Sequence, residues 1–145
     1  MAENRNITWN VTLIADPSVV STQFPLNLIT SNLDSGKWAS NPPSQIVVPT
    51  GQKQTSFSFE AEGSDCSATG TGGTVVYTSS DSSTNASSFT FTFEISYSES
   101  NSGNVTTNNP SANYQLDNGG GVPQSGNSVS VNVTITQVGP VVSAK

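Results

Sequence analysis

The stretch FTFTFEISY, residues 89–97, decides the fold of this chain. Its large apolar side chains occupy every second position, at Phe89, Phe91, Phe93, Ile95 and Tyr97. Successive side chains of a β-strand point to opposite faces, so this alternation is typical of a strand that lays one face on a core. We therefore expect Phe93 and Ile95 to be buried, and Glu94 between them to face solvent.

Weaker versions of the same pattern recur on both sides of this strand. Period-2 alternation marks Ile7–Leu13 and Val129–Ile135, and short extended runs lie between them at 24–29, 37–39, 46–48, 57–59, 75–77 and 114–116. No segment has helical periodicity, and residues typical of turns separate the runs. The sequence therefore predicts an all-β fold, a single-domain antiparallel β-sandwich of about eight strands over residues 1–145, with a flexible tail from about residue 138.

Glycine, proline and asparagine mark the connections between the predicted strands. Asn32–Gly36 reads as a turn, Pro49–Gly51 as a type II turn, and Ser98–Pro110 as a loose polar segment. The run EGSDCSATGTGGTVVY, residues 62–77, reads as a β-hairpin corner with a strand behind it. Its glycines are expected to supply positive φ and to let neighbouring strands approach closely.

The same run raises two catalytic alternatives, a phosphate-binding loop and a cysteine nucleophile. Gly70–Gly73 lacks a following Gly-Lys-Ser/Thr and opens into a strand, whereas a phosphate loop leads into a helix. Cys66 has no imidazole base, because the chain contains no histidine. Glu60 and Glu62 share one strand face, but their spacing does not single them out as a glycosidase pair. The sequence predicts no catalytic residues, no metal site and no cofactor, and so a protein that is not an enzyme.

Charge limits the partners of the chain. Its 145 residues include ten acidic and four basic residues, which gives a net charge of −6. Nucleic acid is not expected as a partner, because phosphate neutralisation needs many Lys and Arg residues. Anionic membranes repel the chain at long range, so a lipid partner should carry a neutral or zwitterionic head group.

The N-terminal stretch and the cysteine count bear on the compartment. Met1–Arg5 leads into no apolar stretch like that of a signal peptide, and the single cysteine, Cys66, makes no internal disulfide. No run approaches the roughly twenty apolar residues of a membrane-spanning helix. We expect no signal peptide, cytoplasmic storage or non-classical release, and action at the membranes of target cells.

Four motifs in order resemble the aegerolysin family. Gly63–Val75 is similar to the family pattern in which a small polar stretch ends in Gly-Thr-x-Gly-Thr before an apolar strand. Upstream, Gly36–Trp38 resembles the family's basic-Trp step, and Ile46–Gly51 resembles its Ile-x-x-Pro-x-turn. Downstream, Phe93–Tyr97 lies where many aegerolysins carry an aromatic residue, an acid, two further residues and a second aromatic. The resemblance covers most of the chain.

This resemblance implies a fold, a function and partners. Aegerolysins are small acidic β-sandwich proteins that bind membrane lipids, often sphingolipid head groups, and several form pores only with a larger protein partner. The small components of some binary insecticidal toxins look similar. The resemblance thus implies a non-enzymatic membrane-lipid-binding protein that is a component of a two-part pore-forming cytolysin or toxin and acts with a larger pore-forming partner.

A carbohydrate-binding or self-assembling structural β-sandwich is the alternative function. The strand faces are rich in Asn, Ser and Thr, which suit sugar hydroxyls. The many predicted edge strands are able to pair with further copies in a homo-oligomer. The fold alone does not choose between these functions and lipid binding.

Four residues are candidates for the lipid-binding site. Tyr97 ends the aromatic strand where the sequence turns polar, so its ring can cover the core while its hydroxyl reaches a head group. Glu94 points to the opposite face, where it is free to meet an amine or choline group. Trp38 and Tyr114 are each either an interfacial aromatic anchor or a core residue. The structural alternative is that Tyr97 only caps the core and Glu94 only keeps the sheet soluble.

Overall fold

In the part of the chain that the structure describes, ten strands form two sheets that pack as a β-sandwich, so the predicted all-β fold is confirmed. The computed structural model describes residues 5–63, 70–80, 86–97 and 99–143. The strands are β1 (Asn6–Ile14), β2 (Leu26–Ser35), β3 (Lys37–Ser40), β4 (Gln45–Ile46), β5 (Gln54–Glu62), β6 (Thr71–Ser79), β7 (Ser88–Ile95), β8 (Ser102–Asn108), β9 (Tyr114–Asp117) and β10 (Ser128–Gln137). The described residues form no helix, and so none that is long and apolar enough to cross a membrane.

Each sheet has five strands, and one pairing of the described strands is parallel. The first sheet has the order β3-β5-β1-β10-β9, and the second sheet has the order β4-β2-β6-β7-β8. β1 and β10 run parallel from Asn6 opposite Ser128 to Ile14 opposite Thr136, whereas the other pairs are antiparallel. The sequence predicted an antiparallel sandwich, and the pairing of the described strands is antiparallel except for this pair. The sequence carries no local signal for the parallel pair, because β1 and β10 come from opposite ends of the chain.

Alternating apolar side chains of the two sheets meet in the core, as the sequence predicted. Buried residues of β7 and β1 form its centre: Phe89, Phe91, Phe93, Ile95, Ile7, Trp9, Val11 and Leu13. The rings of Trp9 and Phe91 meet edge to face, with 5.2 Å between their centroids. Such aromatic pairs contribute about 0.5–1.5 kcal/mol beyond the area they bury. This packing holds the two sheets, and the loops at their ends, in a fixed relation.

The predicted type II turn between β4 and β5 is confirmed. Gln52 donates its backbone N–H to the carbonyl oxygen of Pro49 over 2.9 Å, and Gly51 has a φ of +84°. The third position of a type II turn needs positive φ, which glycine adopts without strain.

The predicted turn over Asn32–Gly36 is wrong except at its last residue. β2 continues as a strand to Ser35, opposite Gly72 of β6, with two shifts of register along the way. Only Gly36 turns the chain, with a φ of +83°. The later residues of β2 are mostly exposed, so they are polar and their pattern resembles that of a loop.

The segment Ser98–Pro110, predicted to be a loose polar connection, contains the strand β8. β8 is an edge strand that pairs along its whole length with the aromatic strand β7. Its buried apolar side chain is Val105, and the other side chains are at least partly exposed. Backbone pairing to β7 therefore makes this segment a strand without any alternating pattern of its own. The described residues form ten strands where the sequence predicted about eight.

The hairpin predicted at residues 62–77 is wrong, because its two strands belong to different sheets. β5 ends at Glu62 in the first sheet, and β6 begins at Thr71 in the second. β5 pairs with β1 and β3, whereas β6 pairs with β2 and β7. The connection thus crosses from one sheet to the other, and Cys66 within it lies outside the described residues.

The glycines after this connection serve close approach of strands, which was half of the prediction. Gly72 and Gly73 lie inside β6 and do not have positive φ. A Cβ on Gly73 would collide with the backbone carbonyl oxygen of Asn32 in β2. A Cβ on Gly70 would collide in the same way with the carbonyl oxygen of Ile95 in β7. Gly72 and Gly73 do not need positive φ, because they lie inside a strand.

The last described residues pack against the segment that follows β1. Ser21 donates its backbone N–H to the carbonyl oxygen of Pro140 over 2.8 Å, and Val142 donates to the carbonyl oxygen of Val19 over 2.9 Å. These bonds place residues 139–143 beside residues 19–21. The two segments together form part of one end of the sandwich.

Candidate functional site

A polar cleft of about 460 Å³ lies between two loops at the other end of the sandwich. One wall is the connection between β7 and β8, with Ser96, Tyr97 and Asn101. The sequence predicted that Tyr97 ends the aromatic strand, but β7 ends at Ile95 and Tyr97 lies in the connection that follows. The facing wall is the segment Gln124–Asn127 before β10, and Arg5 before β1 also lines the cleft. The volume lies within the range of roughly 300–1,000 Å³ that is typical of small-molecule sites.

Strand ends of both sheets bring these residues together. β7 ends and β8 begins at this end of the second sheet. β1 and β10 begin side by side in the first sheet, with Asn6 opposite Ser128, because the two strands are parallel. β3 and β5 meet there too, with Lys37 opposite Glu62. We call this end of the sandwich the cleft end.

Arg5 clamps the exposed tyrosine of the cleft. Its guanidinium carbon lies 4.3 Å from the centre of the Tyr97 ring, a cation–π contact worth about 0.5–1 kcal/mol at exposed sites. Its Nε and Nη2 donate hydrogen bonds to the carbonyl oxygens of Ser96 at 3.3 Å and Tyr97 at 3.0 Å. The Arg5 carbonyl oxygen accepts the N–H of Gly63 after β5. Arg5 thus ties the first sheet to a loop of the second and leaves Tyr97 38% exposed.

Asn101 joins the two walls of the cleft and is itself buried. Its Nδ2 donates to the carbonyl oxygen of Gly126 at 3.0 Å, and its Oδ1 accepts the backbone N–H of Ser96 at 3.2 Å. Its own backbone N–H donates to the carbonyl oxygen of Gln124 at 2.8 Å. A buried polar group that loses its partner costs about 1–3 kcal/mol, so these bonds fix the spacing of the walls.

Glu94 lies at the cleft end on the outer face of the second sheet, outside the lining of the cleft. It is exposed while Phe93 and Ile95 are buried, as the alternation predicted. A Cβ on Gly72 of β6 would collide with the Glu94 carboxylate. Glycine at this position therefore gives the carboxylate room to lie along the sheet.

Trp38 also belongs to the cleft end but packs against the core. It is partly buried in β3, and its ring meets Phe59 at 6.1 Å and Phe93 at 6.2 Å between centroids. Both contacts are edge to face. Trp38 does not line the cleft and instead packs on the core at the cleft end.

Tyr114 lies at the opposite end of the sandwich from the other three candidates. It begins β9, is buried, and packs edge to face on Phe89 with 5.4 Å between ring centroids. The structure thus brings Trp38, Glu94 and Tyr97 to one end and separates Tyr114 from them. Of the four, Tyr97 is the one that lines the cleft.

The end that contains Tyr114 exposes several apolar side chains. We call it the valine end after its four exposed valines, Val19, Val47, Val141 and Val142, the most exposed being Val141 at 66%. Hydrogen bonds from the backbone and hydroxyl of Ser18, with a smaller effect of Lys53, lower the pKa of Asp16 there below its usual 3.8. Among the described residues, this end carries one acid, Asp16, and one base, Lys53. At the cleft end, acids outnumber bases.

A second, shallower groove of about 270 Å³ lies on the outer face of the first sheet, between β1 and β5. Three of its polar side chains are hydrogen-bonded: Thr12 and Ser56 share a hydrogen bond of 3.3 Å, and Asn10 donates to Ser130 and Asn132 beside the groove. Because these three side chains already have partners, the groove offers a ligand fewer free polar groups than the cleft does. The described residues contain no cluster of three or more His, Cys, Asp or Glu residues that could hold a metal.

Sequence reasoning named Tyr97 and none of the other residues that line the cleft. Arg5 is 91 residues away from Ser96 along the chain, so no local pattern indicates their contact. Asn101 and Gln124–Asn127 lie in stretches rich in Ser, Asn and Gly, where their residue types are not distinctive. The one available signal was that Arg5 is among only four basic residues in the chain.

Known proteins share the sequence pattern and the fold of this chain. The family model Aegerolysin matches residues 20–138. IP-1A from Alcaligenes faecalis has a similar structure, with a TM-score of 0.65 and 15% identity over 93% of this chain and 92% of that one. The lipid binding protein Nakanori has a TM-score of 0.56 and 14% identity over 93% of this chain and 71% of its own. No curated protein matches the chain significantly. At these identities the structural likeness concerns the fold alone.

Proposed function

Because the chain belongs to the aegerolysin family, we propose that it binds membrane lipid, and that it does so through the cleft end. The observation that carries the proposal is Tyr97, a partly exposed ring held by Arg5 at the cleft. Amphipathic aromatic rings suit the head-group zone of a bilayer, where one side of the ring is apolar and the hydroxyl is wet. The similar fold of the lipid binding protein Nakanori supports the same function.

Charge supports neutral or zwitterionic lipids as the target. The net charge of −6 repels an anionic bilayer, and acidic residues such as Glu94 and Glu99 are exposed at the cleft end. Glu94 lies beside the cleft rather than in it, where its carboxylate is free to meet the amine or choline of a neighbouring head group. Sphingolipids meet these conditions, since their common forms carry no net charge.

The residues of the cleft would bind the lipid without catalysing a reaction on it. The chain contains no histidine, so neither Cys66 nor a serine has an imidazole base. We therefore propose a non-enzymatic role.

Vesicle sedimentation tests lipid binding directly. Vesicles of phosphatidylcholine with cholesterol, of the same mixture with sphingolipid, and of the same mixture with phosphatidylserine are each incubated with the chain and spun down. We expect binding to a sphingolipid-containing mixture and weaker binding with phosphatidylserine. If the chain remains in the supernatant with all three mixtures, the proposed function is wrong.

We further propose that the chain is one part of a two-component pore-forming cytolysin or toxin that acts at target-cell membranes. If the cleft end faces the bilayer, the exposed valines at the opposite end face away from it and are open to a larger protein partner. Dye-loaded vesicles test whether the chain needs a partner to permeabilise a membrane. We expect the chain to bind them without releasing dye, and release by the chain alone would contradict the need for a partner.

Carbohydrate binding is a second candidate, because the cleft is lined mainly by amides and hydroxyls. Self-assembly through strand edges has less support. On the edge strand β8, the Val105 N–H is bonded by the Asn104 side chain at 2.9 Å, and the carbonyl oxygen of Gly103 accepts the N–H of Val122 at 3.0 Å. Both groups are thereby withdrawn from pairing with another copy.

A further inference from the structure

The lining of the cleft consists largely of uncharged hydrogen-bonding groups. Around Tyr97, its amides and hydroxyls come from Asn101, Asn127, Gln124, Ser100 and Ser125. Among the described residues, the side chains of Gln124, Ser100 and Ser125 make no hydrogen bond, so they are available to a ligand. Amide and hydroxyl groups both donate and accept, and they match a ligand whose groups do the same.

The charged residues of the cleft do not form a phosphate site. Arg5 uses Nε and Nη2 for the carbonyl oxygens of Ser96 and Tyr97, so that edge of its guanidinium is not free for the bidentate contact that phosphate favours. Glu99 also lines the cleft and offsets the charge of Arg5. No second cation lines it among the described residues. A phosphate in the cleft would therefore meet one arginine whose Nε and Nη2 are already hydrogen-bonded, and one carboxylate that repels it.

Tyr97 adds an apolar surface to these polar groups. Its ring is 38% exposed although the Arg5 guanidinium lies over it. A sugar ring has the matching pair of surfaces, since its hydroxyls donate and accept while its C–H groups form an apolar patch. Aromatic rings pack against such patches, and nearby amides fix the orientation of the hydroxyls.

We infer that the cleft binds the glycosyl head group of a neutral glycolipid rather than a phosphate-bearing head group. This inference rests on the proposed function and narrows it to one class of lipid. The sugar occupies the cleft between Tyr97 and Gln124–Asn127, while Arg5 acts as a positioning residue that holds the Tyr97 loop. The sugar is the head group of a lipid in the bilayer, so the chain recognises it at the membrane surface.

Vesicles that differ in one head group test the inference. Phosphatidylcholine–cholesterol vesicles are prepared with glucosylceramide, with galactosylceramide or with sphingomyelin, and binding of the chain is measured by sedimentation. We expect binding to at least one glycosylceramide to exceed binding to sphingomyelin by about tenfold. Preference for sphingomyelin would overturn the glycosyl inference and leave lipid binding standing, whereas no binding to any vesicle would overturn both.

Variants of the free side chains locate the site. The double variant Gln124→Ala with Ser125→Ala should weaken binding to glycosylceramide vesicles by at least about fivefold, the scale of one lost hydrogen bond. The matched control is Gln115→Ala, an exposed glutamine on β9, which should leave binding unchanged. Equal binding by the double variant and the control would overturn the inference. Strong binding of soluble methyl glucoside without binding to glycosylceramide vesicles would also overturn it, because the partner would then be a free glycan.

Discussion

The two ends of the sandwich are built alike inside and differ on their surfaces. Each end is fastened by one buried amide, Asn101 at the cleft end and Gln137 at the valine end. Gln137 accepts the N–H of Phe24 at 3.0 Å and donates to the carbonyl oxygens of Thr22 at 2.6 Å and Gly139 at 2.9 Å. The Asn101 side chain makes the corresponding kind of contact with the loops of the cleft. Loop anchoring is therefore common to both ends and says nothing about function.

The difference lies in what each end exposes to solvent. The cleft end presents a polar cleft with a clamped tyrosine, whereas the valine end presents apolar side chains with little charge. We expect lipid binding to depend on the exposed side chains of each end, and the free energy of unfolding to depend on the buried amides. Variants matched between the two ends separate these contributions.

Replacing the two buried amides should give the largest effect. Asn101→Ala and Gln137→Ala each leave buried partners without a hydrogen bond, and each should lower the free energy of unfolding by about 3 kcal/mol. Denaturant unfolding measures this loss. At temperatures where both variants are folded, we expect Asn101→Ala to lose vesicle binding and Gln137→Ala to keep it. Loss of binding in both would mean that the two ends do not act independently.

Replacing Arg5 should weaken binding more than it weakens the fold. Arg5→Gln removes the cation–π contact and two hydrogen bonds, so the Tyr97 loop loses its clamp. We expect about tenfold weaker binding to sphingolipid vesicles, a loss of about 1.4 kcal/mol. Lys53→Gln at the valine end removes the same charge and is the control. If both variants weaken binding equally, total charge rather than the clamp is responsible.

Two conservative variants at the cleft end should give a smaller effect. Tyr97→Phe removes the hydroxyl, and Glu94→Gln removes the charge, while both keep the shape of the side chain. At least one of them should lower vesicle affinity by about 1 kcal/mol, the scale of one hydrogen bond. Their melting temperatures should match that of the parent chain. Unchanged binding in both variants would assign these two residues to structural roles.

A charge at the valine end should have the smallest effect on lipid binding. Val141→Asp places a carboxylate on the most exposed valine without disturbing a buried side chain. We expect unchanged binding to sphingolipid vesicles, because the proposed function places this end away from the bilayer. A large loss of vesicle binding would reverse the comparison and make the valine end the membrane contact.

The sequence predicted the sandwich but not its pairing. Alternation in Phe89–Ile95 and in Ile7–Leu13 predicts strands with buried faces, and these faces are buried. β8 was missed, because an edge strand with one buried apolar residue, Val105, needs no alternation. The hairpin at residues 62–77 was wrong, because turn-forming residues do not indicate whether a connection stays in one sheet or crosses to the other.

By itself, the sequence determined that the protein is an acidic all-β chain without histidine, and that Glu94 points away from the buried face of its strand. These properties depend on composition and on the period of two along a strand, both of which are local. Tertiary structure alone decided that Arg5 meets Tyr97, that Asn101 joins the walls of a cleft, and that Tyr114 lies at the other end. The contacts of Arg5 and Asn101 join segments far apart in the chain. They arise because the parallel pairing of β1 with β10 brings both strand starts beside the end of β7.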